Sequence, residues 1–117
     1  MWVQRKSERV SSSARLADAD RVVVLKGPGT VVSAKDRQII ATAGTPALAT
    51  AGTGDVLAGI IGALLAQGLE PISAAALGVH LHGRAGEAAA ESLTEMCVTA
   101  EDVPDYLPMA VARLLDR

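Results

Sequence analysis

The chain has 117 residues, 50% of them hydrophobic, with a formal net charge of −2 and one cysteine; that is one domain or a piece of one. Trp2 and Tyr106 are its only aromatic residues, so the core must be built from small aliphatic side chains. The absence of a concentrated basic face excludes nucleic-acid binding, the most apolar stretch, residues 56–66, is too short to span a bilayer, and the lone Cys97 forms no internal disulfide, which fits a reducing, cytoplasmic setting.

Residues 1–20 are polar, carry Arg5, Lys6, Glu8 and Arg9, and lack the hydrophobic region of a secretory signal. Val10, Ala14 and Ala17 share one helical face, so an amphipathic helix is expected over residues 7–19, weakened by the serine run. Residues 1–20 are read as an N-terminal amphipathic helix or a leader, and residues 21–117 as part of the domain proper. Arg21-Val22-Val23-Val24-Leu25-Lys26 is the clearest strand. Its β-branched run without polar alternation suits a strand covered on both faces, as in a parallel sheet within an α/β layer. Gly27-Pro28-Gly29 forces a turn, and residues 30–33 and 38–42 read as two more short strands, which completes a small β-meander. On spacing alone, Lys26, Gly27, Pro28, Gly29 and Thr30 are a β-turn with a solvent-facing lysine.

Residues 47–57, Ala-Leu-Ala-Thr-Ala-Gly-Thr-Gly-Asp-Val-Leu, run small residues and glycines into one carboxylate at the start of an apolar helix. Thr53 is the expected N-cap, and Gly52 and Gly54 allow close ligand approach. N–H groups at the positive end of the helix dipole then form an anion site. Asp55 either complements the dipole or serves as general base for a hydroxyl attacking a bound phosphoryl group. Spacing leaves both open.

The helix over residues 56–67 carries Val56, Leu57, Ile60, Ile61, Leu64 and Leu65 as one wide stripe. Its other face, Ala58, Gly59, Gly62, Ala63 and Ala66, permits close backbone approach, the pattern of a buried helix. Gly68 ends it and Pro71 starts the next element. A second helix over residues 72–93 contains Gly78, Gly83 and Gly86, which point to tight contacts because glycine costs about 1 kcal/mol in a helix interior. His80 and His82 sit two apart, so they cannot share a metal from one helix face, and no zinc-like cluster exists; no resident metal is expected. His82 is read as a packed, hydrogen-bonded histidine and His80 as facing outward or sideways. Thr99-Ala100-Glu101-Asp102 is a capping-box-like opening to a last segment that Tyr106-Leu107-Pro108 divides, its second helix running over residues 109–115. Cys97 reads as a small core residue.

Three motifs in this order carry a resemblance: Leu25-Lys26-Gly27-Pro28-Gly29-Thr30, then Ala49-Thr50-Ala51-Gly52-Thr53-Gly54-Asp55-Val56-Leu57, then Gly78-Val79-His80-Leu81-His82-Gly83. Together they resemble the ADP/ATP-dependent NAD(P)H-hydrate dehydratases, which are ribokinase-like proteins. The resemblance covers residues 21 to 117 and looks like the C-terminal part of a longer domain. The family's usual loop reads Asn-Pro-Gly-Met-Ala-Thr-Gly-Gly-Thr-Gly-Asp. Here Thr45, Ala47, Leu48 and Ala51 depart from it, while Pro46, Ala49, Thr50, Gly52, Thr53, Gly54 and Asp55 match. Ala47 and Ala51 matter only if those positions need positive φ.

The resemblance implies an α/β fold, the C-terminal portion of a three-layer α/β/α sandwich, and an adenine nucleotide, ADP or ATP with Mg2+, lying at Lys26, Gly27, Pro28, Gly29 and Thr30. The transferring phosphate is then held by Gly52, Thr53 and Gly54, with Asp55 as catalytic base and contact to the substrate, hydrated NADH or NADPH. It implies a homo-oligomer. An ordinary small-molecule kinase, or an inactive nucleotide-binding fragment, are the competing readings.

Overall fold

The computed structural model describes residues 14–17, 21–27 and 29–116. The helix expected over residues 7–19 falls mostly outside them, with one helical turn at residues 14–16; Trp2 and Pro28 also lie outside.

Three strands form one sheet, β1 (Val23–Leu25), β2 (Val31–Ser33) and β3 (Gln38–Ile40), antiparallel and in that spatial order. Val24 stands opposite Val32, and Val32 opposite Ile39. Pleating therefore puts these three on one face, which packs on Leu57, Ala75 and Val79. Val31 and Ser33, on the opposite face, are fully buried as well. The expected meander is present, but the strand covered on both faces is β2. β1 is an edge of this sheet, and its residues are only half-buried.

Two long helices follow, α1 (Thr53–Ala66) and α2 (Pro71–Leu93). Between them the chain reverses over residues 67–70. Gly68 takes φ +97°, its N–H donates to Leu65 at 3.0 Å, and the Leu69 N–H donates to Leu64 at 3.3 Å. This paired closure satisfies carbonyls that a helix end otherwise leaves open. Pro71 then stands in the first turn of α2, where its missing N–H costs nothing.

α2 is the spine. On one side Ala75 and Val79 meet the sheet and Leu57; on the other Leu81, Ala85 and Ala89 meet Ala47, Val98, Val103 and Ala110. Its glycines are contact points as expected: a Cβ on Gly78 would come within 2.6 Å of the Ile61 side chain, and one on Gly86 within 2.6 Å of Leu48. The glycines of α1 behave differently. Gly59 and Gly62 are exposed, and a Cβ there would meet nothing within 4 Å. The small-residue face of α1 is exposed, and its Gly59 and Ala63 border an open groove with Leu81, Leu107 and Val111. Gly62→Ala should therefore raise stability by about 0.5–1 kcal/mol, through helix propensity and a less flexible unfolded chain. A rise in the urea midpoint at constant slope checks it.

The last segment opens with half of the expected capping box, since Asp102 reaches back to Thr99 but its own N–H donates to the Thr99 carbonyl at 3.1 Å and not to the hydroxyl. The Thr99 N–H and hydroxyl donate to Asp102 Oδ2 at 2.8 and 2.9 Å. A 3-10 turn, Val103–Tyr106, leads into α3 (Leu107–Leu114). Pro108 falls in the first turn of α3, so it starts the helix instead of interrupting it. Cys97 is exposed, not a core residue, because α2 ends at Leu93 and the chain turns through residues 95–97 at the surface. Among the described residues no helix is long and apolar enough to cross a membrane.

Candidate functional site

Three separate stretches meet at a cleft of about 490 Å3. The turn after β1 contributes Lys26, Gly27, Gly29 and Thr30. The loop after β3 contributes residues 41–46, Leu48 and Ala49, and the helices contribute Thr53, Gly54, Leu57, Val79, His82 and Gly83. Of the residues singled out in the sequence, the structure thus brings together Lys26, Gly27, Gly29, Thr30, Thr53 and Gly54. The lysine is exposed, as in an ordinary turn, but its Nζ lies against Gly54, so close that a Cβ on that glycine would collide with it. Two sources of positive potential, an ammonium and a helix start, therefore coincide. The Thr30 hydroxyl donates to the Gly27 carbonyl at 3.1 Å, which closes the turn.

The helix start is built differently from the expectation. Gly52, not Thr53, is the N-cap, with φ +92°, a conformation that side chains rarely adopt. Thr53 is the first helical residue, and its hydroxyl lies within hydrogen-bond reach of the Leu48 and Thr50 carbonyls, tying the helix start to the loop before it. Most first-turn amides are taken. The Thr53 N–H donates to Thr50 at 3.3 Å, and those of Asp55 and Val56 to Gly52 at 3.1 and 3.3 Å. The Gly54 N–H has no such acceptor among the described residues, and Gly54 is the member of this turn that, with Thr53, lines the cleft. Gly52 packs against Ala100. Asp55 is exposed and is not among the lining residues.

The loop is fastened to α2. The Gly44 N–H donates to Glu87 Oε1 at 2.8 Å, Glu87 in turn pairs with Arg84 at 3.0 Å, and the Thr45 hydroxyl donates to Glu95 at 3.2 Å. Gly83 faces the Ala43 backbone with no room for a side chain. Positive φ among described non-glycine residues occurs only at Thr94 and Asp116, so Ala47 and Ala51 take ordinary backbone conformations, and Ala47 is a buried part of the 3-10 turn Pro46–Ala49.

His82 was legible as a packed residue but not as part of the cleft. It is 8% exposed. Burial lowers its pKa from 6.5, the nearby Lys26 charge lowers it further, and a hydrogen bond to the Thr53 backbone opposes both. The unfolded chain thus takes up a proton at His82 more readily than the folded one. Stability from this residue is complete above pH 6.5 and is lost as pH falls through 6.5 toward the lower folded value. Urea midpoints at descending pH should fall more steeply for the wild type than for His82→Gln.

The domain model for NAD(P)H-hydrate dehydratase matches residues 2–109. The chain belongs to the NAD(P)H-hydrate dehydratase family. It is 43% identical over 111 residues to the bifunctional NAD(P)H-hydrate repair enzyme Nnr of Moorella thermoacetica, covering 93% of this chain and 21% of that protein. To the ADP-dependent (S)-NAD(P)H-hydrate dehydratase of Cenarchaeum symbiosum it is 39% identical over 110 residues, covering 93% and 38%. The fold is similar to that of the Bacillus subtilis ADP/ATP-dependent NAD(P)H-hydrate dehydratase co-crystallised with ATP/Mg2+, with a TM-score of 0.80, 31% identity, and coverage of 92% of this chain and 38% of that one. The chain is thus a ribokinase-like α/β fold in its C-terminal portion, and it spans from about a fifth to about two-fifths of the length of these relatives. In this chain the three motifs converge on the cleft through α1, α2 and the turn after β1.

Proposed function

We propose that this chain carries the nucleotide-binding part of an enzyme that dehydrates hydrated NADH or NADPH using ADP or ATP. One observation carries the reading: Lys26 Nζ lies over Gly54 at the start of α1, inside a cleft shared with Gly27, Gly29 and Thr30. An ammonium beside an unpaired helix-start amide suits a polyphosphate, and the glycine turn leaves backbone open to a ribose or base. The ADP-dependence in the relatives' names supports the same nucleotide class.

Among the described residues no carboxylate lines the cleft, and no group of three or more His, Cys, Asp or Glu could hold a metal. A magnesium ion fits this site as the companion of nucleotide phosphates, the usual way Mg2+ is bound in such enzymes, with Asp55 the acidic residue nearest in sequence to the anion site. Asp55 is assigned as the base that takes a proton from the attacking ring hydroxyl. Phosphoryl transfer rests on positioning and electrostatic stabilisation. Once the hydroxyl carries a phosphoryl group, phosphate leaves where hydroxide would not, and loss of a ring proton restores the reduced nicotinamide. The edges β1 and β3 and the half-exposed Met109, Leu114 and Leu115 support self-association, and the single cysteine supports a cytoplasmic setting.

The test is to incubate the chain with hydrated NADH and either ADP or ATP, following the reduced-nicotinamide absorbance. Recovery with nucleotide supports the dehydratase. Nucleotide binding with no recovery marks a binding fragment, and phosphorylation of a sugar hydroxyl instead marks a kinase.

A further inference from the structure

We propose that His82 is a ligand-binding residue of the cleft, its Nε2 accepting a hydrogen bond from an O–H or N–H group of the bound nucleotide. This deepens the nucleotide reading above and rests on it. Two observations carry the inference. His82 is more than nine-tenths buried and lines the cleft together with Thr53 and Gly83. Its Nε2, exposing less than 1 Å2, has no hydrogen-bond partner. Buried polar atoms are almost always satisfied, and those that are not commonly mark a functional site.

The chemistry of the missing partner follows from the ring. Nε2 is unpartnered, so the hydrogen bond to the Thr53 backbone falls to Nδ1. That bond favours the charged form, which means that the ring donates and the Thr53 carbonyl accepts. A neutral imidazole with its proton on Nδ1 has a bare lone pair on Nε2, an acceptor only. Burial and the Lys26 charge both hold the ring neutral. An ionised phosphate, which offers only acceptors, cannot satisfy this atom; a sugar hydroxyl or the base amine can. Lys26 and Gly54 then take the anionic end of the ligand, and His82 reads an uncharged donor on the same molecule. His80, two positions away on α2, does not line the cleft.

Side-chain mimicry separates this role from a structural one. The glutamine amide reaches the position of Nε2, and the asparagine amide that of Nδ1. If Nε2 binds ligand, His82→Gln holds ADP affinity within about threefold, while His82→Asn and His82→Phe weaken it by about tenfold, the scale of one hydrogen bond. If His82 only braces Thr53, the order reverses, with asparagine retaining affinity and glutamine losing it, and the inference is overturned. Titration calorimetry with ADP reads these affinities.

The wild-type chain gives a second measurement that needs no folded variant. With two histidines in the sequence, the ring nitrogens are assignable by 15N resonance once His80→Gln removes one set. Saturating ADP should move the His82 Nε2 signal upfield as it accepts a hydrogen bond, leaving Nδ1 in place. Repeating the titration with 2′-deoxy-ADP and with the 6-deamino analogue tells sugar from base, since the analogue lacking the donor loses the shift. An Nε2 signal that stays put at ADP saturation overturns the inference while leaving the nucleotide reading standing. No ADP binding by the wild type overturns both.

Discussion

Asp55→Asn is expected to lower hydrated-NADH turnover by about 100- to 10,000-fold, the range typical of losing a general base, while ADP affinity is unchanged. The substitution keeps size and hydrogen-bonding capacity and removes only the ability to take a proton. The geometry makes the binding half of this expectation specific. Asp55 does not line the cleft, whereas its neighbour Gly54 does, and the Asp55 N–H is already bonded to Gly52. The groups proposed to hold the phosphate are Lys26 and the Gly54 amide, which the variant leaves alone. Removing a first-turn carboxylate also costs stability, by about 0.3–1 kcal/mol of helix-dipole interaction. That is far too little to mimic a loss of turnover through unfolding. Asparagine retaining turnover would exclude Asp55 as the base. A parallel loss of ADP affinity would instead make it a nucleotide ligand. The readouts are the absorbance assay for rate and calorimetry for affinity.

Much of this arrangement could be read before any coordinates. The β-branched run before Gly27, the Gly68 and Pro71 punctuation, and the capping pattern at Thr99 each act locally, through φ preference or a side chain reaching its own backbone. Sequence carries such signals directly. The resemblance marked the two motifs at Lys26 and Gly54 as candidate ligand loops, but their contact was not legible, because nothing in a turn pattern says where a lysine amine comes to rest. What failed to show depended on packing between distant elements. The glycines of α1 and α2 look alike in sequence, yet those of α2 meet Ile61, Ala43 and Leu48, while Gly59 and Gly62 of α1 meet nothing. Cys97 looked like core until the end of α2 placed it on a surface turn. Thr53 looked like a cap because its hydroxyl could serve the helix. In the fold that hydroxyl serves the preceding loop instead, and glycine takes over the cap. His82 belongs to the same class: a polar residue on the buried face of an alanine-rich helix, next to glycine, was the available signal, and only the convergence of loop and helix shows what it faces.

Gly83→Val should be the most damaging single substitution in α2, lowering stability by about 3 kcal/mol and ADP affinity by at least about tenfold. A Cβ at this position would stand 2.6 Å from the Ala43 carbonyl oxygen, 2.7 Å from its carbon and 2.9 Å from its Cβ. Two of these three atoms are backbone, so no rotamer change relieves the contact. Either α2 or the loop after β3 has to move. The loop is the weaker party, since among the described residues it is held on this side only by the Gly44 N–H bond to Glu87 of α2 and the Thr45 bond to Glu95 in the turn beyond α2, and it forms one wall of the cleft. Loss of ADP affinity should accordingly accompany loss of stability. Helix propensity predicts the opposite sign for the smaller change Gly83→Ala, a gain of about 1 kcal/mol over glycine, while overpacking against backbone costs about 1–3 kcal/mol. The two effects therefore compete at this position and not at Gly62, where only the gain applies. Urea denaturation of Gly83→Ala beside Gly62→Ala decides which governs α2. If both variants gain stability equally, helix and loop are not in contact at Gly83, and the wall of the cleft is not held where the fold places it.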